Sequence, residues 1–386
     1  MSKRSAQGGG SIRQRPDGKW EARYTIGRDP GTGKQVQKSV YGATQAEVRK
    51  KLQQATTQID SGTYLEPSKM TVAQWLDLWL VEYTGGLKVN TAVSYETQIR
   101  MHIKPALGAV KLEKLTTPAV QSFYNDLQRK KGLSAKTVKN IHGVLTRALG
   151  QAVAVGYARY NPCQNTQLPR IEKKKITPLE GDAITNFLDA ILGQPLETLF
   201  RTALLTGMRQ SELMGLTWDC VDFESGTILV DKQLIKEKKI DGVYRFAEPK
   251  NSNARRIAPA PSVMRMLRGL KSKQAEQQLR AGQMWLNTRN LVFTNEIGQH
   301  YAHNTLSRSF KRIAKKIGLE NNCFHDLRHS YAVLSLQNGD DIKTLQENLG
   351  HATVAFTLDV YGHVSDKMRQ DSANRMEAFI KGIGGL

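Results

Sequence analysis

The stretch FHDLRHSYAVLSLQNG, residues 324–339, opens with His325, Arg328 and His329 and continues with Tyr331, Val333, Leu334 and Leu336. It reads as one helix whose remainder is apolar enough to need burial in a helical core. A helix that must bury one side has no packing reason to begin with two imidazoles and a guanidinium. Its first turn is therefore expected to face a partner, while the residues after it face the core.

At 386 residues the chain is long for one compact core, so two or three domains are expected. The composition, 39% hydrophobic and 24% charged, is that of a globular protein. The formal charge of +21 is a large basic excess and makes nucleic acid the first partner to consider. Residues 1–65 hold 12 Lys and Arg against five Asp and Glu, so the excess is densest at the N-terminus. Cys163, Cys220 and Cys323 lie far apart with no CxxC pair, which excludes a cysteine zinc site and a disulfide framework. No run reaches the ~18 apolar residues of a membrane span, and the first residues lack the apolar stretch of a signal peptide. A soluble protein of the cytoplasm, in contact with no membrane, is the expectation.

Outside the opening helix the chain changes period several times. In SIRQRPDGKWEARYTIGRDPGTGKQVQKSVYG, three short runs are parted by Pro16-Asp17-Gly18 and Pro30-Gly31-Thr32-Gly33. This predicts a small antiparallel sheet. Period two puts Trp20, Ala22, Tyr24 and Ile26 on one face, to be covered by a helix bearing Val48, Leu52 and Ala55. The other face stays open, and since a strand can enter a major groove, Arg13, Arg15 and Arg23 are candidate DNA contacts. From Lys69 the period is helical, with Val72, Trp75, Leu76, Trp79, Leu80 and Tyr83 forming one buried stripe. Further helices are expected over about 90–104, ending at Pro105, and over 117–130 and 134–156. The proline and lysines of QLPRIEKKKITPLE then read as an exposed linker. The expected domains are residues 1–65, 66–165 and 179–386, with a linker over 166–178.

The last segment carries most of the remaining signals, each weak by itself. In ALLTGMRQSELMGLTWDCVDF, Gly207 breaks one helix and Arg209 starts the next, a place where a guanidinium and free helix N–H groups both favour a phosphate. Glu212 either holds that arginine or is a solvated charge. Strands over 226–231 and about 243–249 lead to Lys250, beside a hairpin turn at Asn251-Ser252-Asn253. Farther on stand the pair Gly350-His351 and, ten residues later, Tyr361. The polar segment around Gln274 to Arg289 has no assignable role.

Arg209, Lys250, His325, Arg328, His351 and Tyr361, in this order, resemble the tyrosine recombinase (phage integrase) family. Its pattern is an Arg in a TGMR…E box, a Lys on a β-hairpin, an HxLRH box, a Gly-His pair and a following nucleophilic Tyr. HIKPALGAVKLEKLT and the NPC at 161–163 resemble the family's core-binding domain. The N-terminal sheet and helix resemble the arm-binding domain of integrases from temperate phages and conjugative transposons. The resemblance implies a multidomain α+β protein: a three-stranded sheet plus helix, a four-helix SAM-like unit, and a mostly α catalytic domain with a small antiparallel sheet.

It also implies site-specific recombination of double-stranded DNA at core and arm attachment sites, through a 3′-phosphotyrosine and without cofactor or metal. Arg209 and Arg328 then form a phosphate clamp in place of Mg²⁺. His325 serves as proton acceptor for the nucleophile Tyr361, His351 bonds the phosphate, and Lys250 is the acid for the departing 5′-oxygen. His329 receives no role, and Tyr331 is expected to face the core. A homotetramer on DNA, with an excision factor or DNA-bending protein as possible companion, also follows from the resemblance alone. Two other readings use the same residues: a type IB topoisomerase, which has no need of a separate arm domain, and a DNA-binding regulator without cleavage.

Overall fold

The computed structural model of the chain describes residues 10–61, 69–172, 177–237, 243–249, 254–351, 353–355 and 366–383. It divides into two compact units, residues 1–172 and 173–386. The architecture is multidomain α+β, as the sequence predicts. Among the described residues no helix is long and apolar enough to cross a membrane.

The first unit holds two separate cores. In the smaller one, β1 (Ser11–Gln14), β2 (Trp20–Arg28) and β3 (Gln35–Gly42) form an antiparallel sheet in sequence order. The first hairpin closes through Arg15 N to Lys19 O at 2.8 Å, and Gly18 supplies the φ of 80° that the turn requires. At the second, Asp29 Oδ1 accepts the amides of Gly31 and Thr32 at 3.0 and 2.7 Å, the local competition with the backbone that favours Asp in turns. Helix α1 (Gln45–Asp60), capped by Thr44, lays Val48, Leu52 and Ala55 over Ala22 and Tyr24. Among the described residues the opposite face of the sheet has no such cover.

The larger core of this unit is helical. Helix α2 (Val72–Glu82) begins with a Thr71/Gln74 capping box and buries Val72, Trp75, Leu76 and Trp79. Trp75 Nε1 donates to Ala148 O of α6 (Ala135–Ala154) at 2.9 Å, so its one polar atom is satisfied inside the core. Tyr83, expected in the buried stripe, is 41% exposed because it caps the helix rather than continuing it. The helix expected to stop at Pro105 does not. Helix α3 (Val89–Gln98) passes through a π turn at Ile99–Ile103 into α4 (Lys104–Leu107), and the missing amide of Pro105 falls in the first turn of that last piece. Helix α5 (Thr117–Arg129) completes the packing with Phe123, Tyr124 and Leu127.

The second unit packs α7 (Asp182–Ile191), α8 (Glu197–Thr206), α11 (His303–Lys316) and α12 (Asp326–Gln337) around Phe187, Phe200, Phe310 and Phe324. The short helix α9 (Gln210–Met214) follows α8. Strands β4 (Val221–Asp222), β5 (Thr227–Val230) and β8 (Arg255–Ile257) form one antiparallel sheet, and β6 (Gln233–Lys236) pairs with β7 (Tyr244–Ala247). Helix α10 (Pro261–Ala281) gives the polar segment a role at its start. Gln274, 6% exposed, accepts from Trp218 Nε1 at 2.6 Å and donates to Leu291 O and Thr294 Oγ1 at 3.1 and 2.8 Å. A buried amide thus ties the helix to the 291–294 segment. On α12, Leu327, Ala332 and Leu336 are buried, and with Leu345 and Leu349 of α13 (Ile342–Leu349) the last two close a small satellite cluster.

Candidate functional site

The site begins where two helices end. Gly207 terminates α8 with φ 63°, and a Cβ there would collide with the Tyr331 ring and the Leu349 side chain, so only glycine fits. The chain then buries Met208 and places Arg209 at the head of α9. Gly350 terminates α13 with φ 62°, and a Cβ there would lie 3.1 Å from Arg255 Cδ. Both glycines are followed closely by a functional candidate, Arg209 or His351.

The last carbonyls of a helix lack partners within it and need donors. At the end of α13, three successive carbonyls accept from three different guanidiniums. Asn348 O takes Arg255 Nε at 2.8 Å, Leu349 O takes Arg328 Nη2, and Gly350 O takes Arg209 Nη2 at 3.1 Å. Arg328 Nη1 also donates to Gly207 O, at 2.7 Å, and so joins the two helix ends. With 3% exposure, Arg328 points into the unit instead of lying on the open first turn that the sequence suggests.

Glu212 is the counter-charge of this cluster and is 1% exposed. Its Oε1 accepts Arg209 Nη1 at 2.7 Å, and its Oε2 accepts the Arg209 amide at 2.8 Å. Arg255 grips the same carboxylate with two bonds, Nη2 to Oε2 at 2.7 Å and Nη1 to Oε1 at 3.1 Å. Burial pushes the Glu212 carboxyl up, but the Arg255 hydrogen bonds and the charges of both arginines outweigh it and hold the group at about 2. Of the two sequence readings of Glu212, the structure selects the one that holds Arg209.

The imidazoles are kept neutral. His325 stands at the head of α12 with part of its surface open, and its ring meets that of His329 edge-on at 4.9 Å. Desolvation by the protein beneath it, then the neighbouring His329 and Arg328, push His325 down to about 4. His351 is pushed to about 3 by burial first and then by Arg328, Arg209, His329 and Arg255. Four of the sequence candidates, Arg209, His325, Arg328 and His351, therefore lie in one electrostatic neighbourhood. Lys250 and Tyr361 lie outside the described residues. Tyr331 is half-buried against the satellite cluster, with its hydroxyl accepting from Asn348 Nδ2 at 3.2 Å.

Sequence reading gave no role to Arg255 or His329. For Arg255 a signal exists, because it stands two residues before Ile257 and shares the inward side of β8, while Arg256 faces out. For His329 the signal is its spacing of one helical turn from His325.

A second candidate surface is the open face of the N-terminal sheet. Arg13 and Arg23 flank Glu21, with Nε to carboxylate distances of 2.8 and 3.0 Å, and Ser39 Oγ donates to the same carboxylate at 2.8 Å. The hydrogen bond from Arg13, followed by those from Ser39 and Arg23, holds the Glu21 carboxyl at about 2. Arg15 lies over the Tyr41 ring at 5.4 Å. All three arginines keep much of their surface in solvent.

Residues 174–368 match the Phage integrase family, and residues 71–128 match the Phage integrase, N-terminal SAM-like domain. The "Tyrosine recombinase XerC-like" protein of Caldanaerobacter subterraneus subsp. tengcongensis is 32% identical over 369 residues, 91% of this chain and 94% of that protein. The ICEBs1 integrase of Bacillus subtilis is 24% identical over 95% of this chain and 99% of its own length. A structure of the Tn1549 transposon integrase in complex with transposon right end DNA superposes with a TM-score of 0.68 at 25% identity, covering 80% of this chain and all of that one. A lambda integrase tetramer bound to a Holliday junction shares the fold at TM-score 0.57 and 22% identity, over 89% of this chain and 95% of that one. This chain belongs to the phage integrase family, the tyrosine-type site-specific recombinases.

Proposed function

We propose that this chain cuts and rejoins double-stranded DNA at the attachment sites of a mobile element, with Tyr361 as its nucleophile. The observation that carries the reading is the pair Arg209 and Arg328, fixed on adjacent carbonyls of one helix end beside two neutral imidazoles. A phosphodiester in transfer gathers charge on its non-bridging oxygens, and fixed guanidiniums meet that charge without reorganising. The Tyr361 oxygen attacks phosphorus, the bond to the 5′-oxygen breaks, and a 3′-phosphotyrosine and a free 5′-hydroxyl result. Neutral His325 takes the tyrosine proton, His351 donates to a phosphate oxygen, and Lys250 gives a proton to the departing 5′-oxygen. The bond energy is kept in the phosphotyrosine, so joining to another strand is the reverse step and needs no ATP.

Residues 1–65 read arm sites through Arg13, Arg15 and Arg23, residues 66–165 bind the core site and residues 179–386 carry the catalytic residues, in the bacterial cytoplasm or nucleoid. The lambda integrase tetramer on a Holliday junction supports a homotetramer on DNA for this chain as well. The test uses a nicked duplex built on the junction sequence found beside the gene, whose cleavage traps the covalent adduct. The native chain is expected to form an SDS-stable adduct and Tyr361→Phe none, with DNA binding almost unchanged because phosphate contacts dominate affinity. An adduct in Tyr361→Phe would overturn the assignment.

A further inference from the structure

Arg255 is among the most enclosed cations of the second unit, with a side chain only 9% exposed. Its guanidinium donates through Nε, Nη1 and Nη2 to protein acceptors and so touches both halves of the clamp. On one side it grips Glu212 through a two-bond fork at 2.7 and 3.1 Å, and Glu212 in turn holds the Arg209 guanidinium and amide. On the other side its Nε holds Asn348 O at 2.8 Å, in the last turn of α13 before Gly350 and His351. Strand β8, which carries it, is anchored by pairing with β5, Arg255 opposite Val230.

We propose that Arg255 is a positioning residue for phosphoryl transfer, linking the orientation of Arg209 to that of the Gly350-His351 turn. This rests on the recombinase reading of the site. The fork fixes the plane of the Glu212 carboxylate, and only one orientation of that plane leaves Oε1 aimed at Arg209 Nη1 while Oε2 caps the Arg209 amide. A lysine can supply the charge but not the fork together with the bond to Asn348 O. Arg255 therefore acts through Arg209 and His351, on the charge that develops on the phosphate, and not on the leaving group.

The experiment compares Arg255→Lys and Arg255→Gln with Arg209→Ala and Lys250→Ala in the full-length chain, under single turnover, on the nicked junction duplex. A second duplex carries a methylphosphonate at the scissile position, which removes one non-bridging charge and with it part of the need for the clamp. Both Arg255 variants are expected to cleave the ordinary duplex ~10–100-fold more slowly at unchanged DNA affinity, the range found when outer partners of functional ligands are removed. On the methylphosphonate their deficit relative to the native chain should shrink by about tenfold or more, as for Arg209→Ala, whereas that of Lys250→Ala should persist. Native cleavage rates in Arg255→Lys and Arg255→Gln, or a deficit equal on the two duplexes, overturn the proposal. The equal deficit is the pattern of a purely structural residue. If Arg255→Gln fails to fold, Arg255→Lys decides by itself. Absence of any adduct from the native chain would instead count against the recombinase reading.

Discussion

Glu212→Gln removes one charge and no volume, and the site makes its consequence calculable. The carboxylate is 1% exposed and sits between Arg209 and Arg255. Its folded-state value of about 2, against an ordinary 4.5, corresponds to roughly 3 kcal/mol of stability at neutral pH. Removing one partner of a buried ion pair costs about 3–5 kcal/mol by an independent route, so the two estimates agree. With a urea dependence of about 3 kcal/mol per molar for a unit of this size, the midpoint of Glu212→Gln should fall by about 1 M at pH 7. The transition is followed by native-state proteolysis, which reports the second unit separately. Because the folded value is depressed, the stabilisation is complete above the unfolded value of 4.5 and is lost as pH falls toward 2. The gap between native and variant should therefore close over that acid range. A midpoint shift below about 0.3 M at pH 7, or a gap that stays constant down to pH 3, would refute the view of Glu212 as the carboxylate that both arginines require.

Three further expectations use the same geometry. On a duplex whose scissile 5′-oxygen is replaced by sulfur, a leaving group that needs no proton, Lys250→Ala should regain cleavage. Arg209→Ala should not, since a lost oxyanion donor costs ~2.7–4 kcal/mol, and equal rescue would undo this division of labour. In the DNA-free protein, the His325 and His351 imidazoles should still be neutral at pH 5.5 by NMR, because their values lie near 4 and 3. The unfolded chain takes up those protons first, so stability should decline as pH falls from about 6.5, and a midpoint above 6 for both rings would contradict the desolvated site. Deleting residues 1–65 should leave cleavage of the nicked core duplex intact but abolish recombination that bridges arm sites, and Arg23→Ala should weaken arm-site binding alone by ~1–3 kcal/mol if it reads a base. Equal binding of the isolated N-terminal segment to arm and core duplexes would reduce the sheet to a non-specific basic anchor.

The local elements were legible wherever one physical rule acted alone. Alternation over Trp20–Arg28 fixed which side of the sheet α1 covers, and the Trp75, Leu76 and Trp79 spacing fixed the buried side of α2. Motif order located Arg209, His325, Arg328 and His351 but not their directions. Arg328 turns inward because its partners, Gly207 O and Leu349 O, come from helix ends that lie 121 and 21 positions away in the chain. The same distance hid Arg255, whose partners lie 43 and 93 positions away. Pro105 misled for a different reason: the π turn before it absorbs an extra residue, which no local propensity reveals. Gln274 looked featureless because its value lies in satisfying Trp218 and the 291–294 segment.

The polarity of the helices explains why so much cationic charge is buried here. The sequence suggests that Arg209 shares its phosphate with free amides at the start of α9; of these, the Arg209 amide is bonded to Glu212. From α8 and α13 the site receives C-terminal ends, each equivalent to roughly half a negative charge that by itself repels a phosphate, while α9 and α12 bring their heads, with Arg209 and His325. Arg328 and Arg209 bond to those carbonyls, so each guanidinium first neutralises a helix end. Desolvating such cations costs several kcal/mol each, and the carbonyls and Glu212 offset that loss only while all of them are in place. A surface arginine avoids the expense but must order itself during every reaction. In this arrangement the ordering is done on folding, and the clamp, Glu212 and Arg255 should consequently be lost or kept together, with strong non-additivity between Glu212→Gln and Arg255→Gln in a double-mutant cycle.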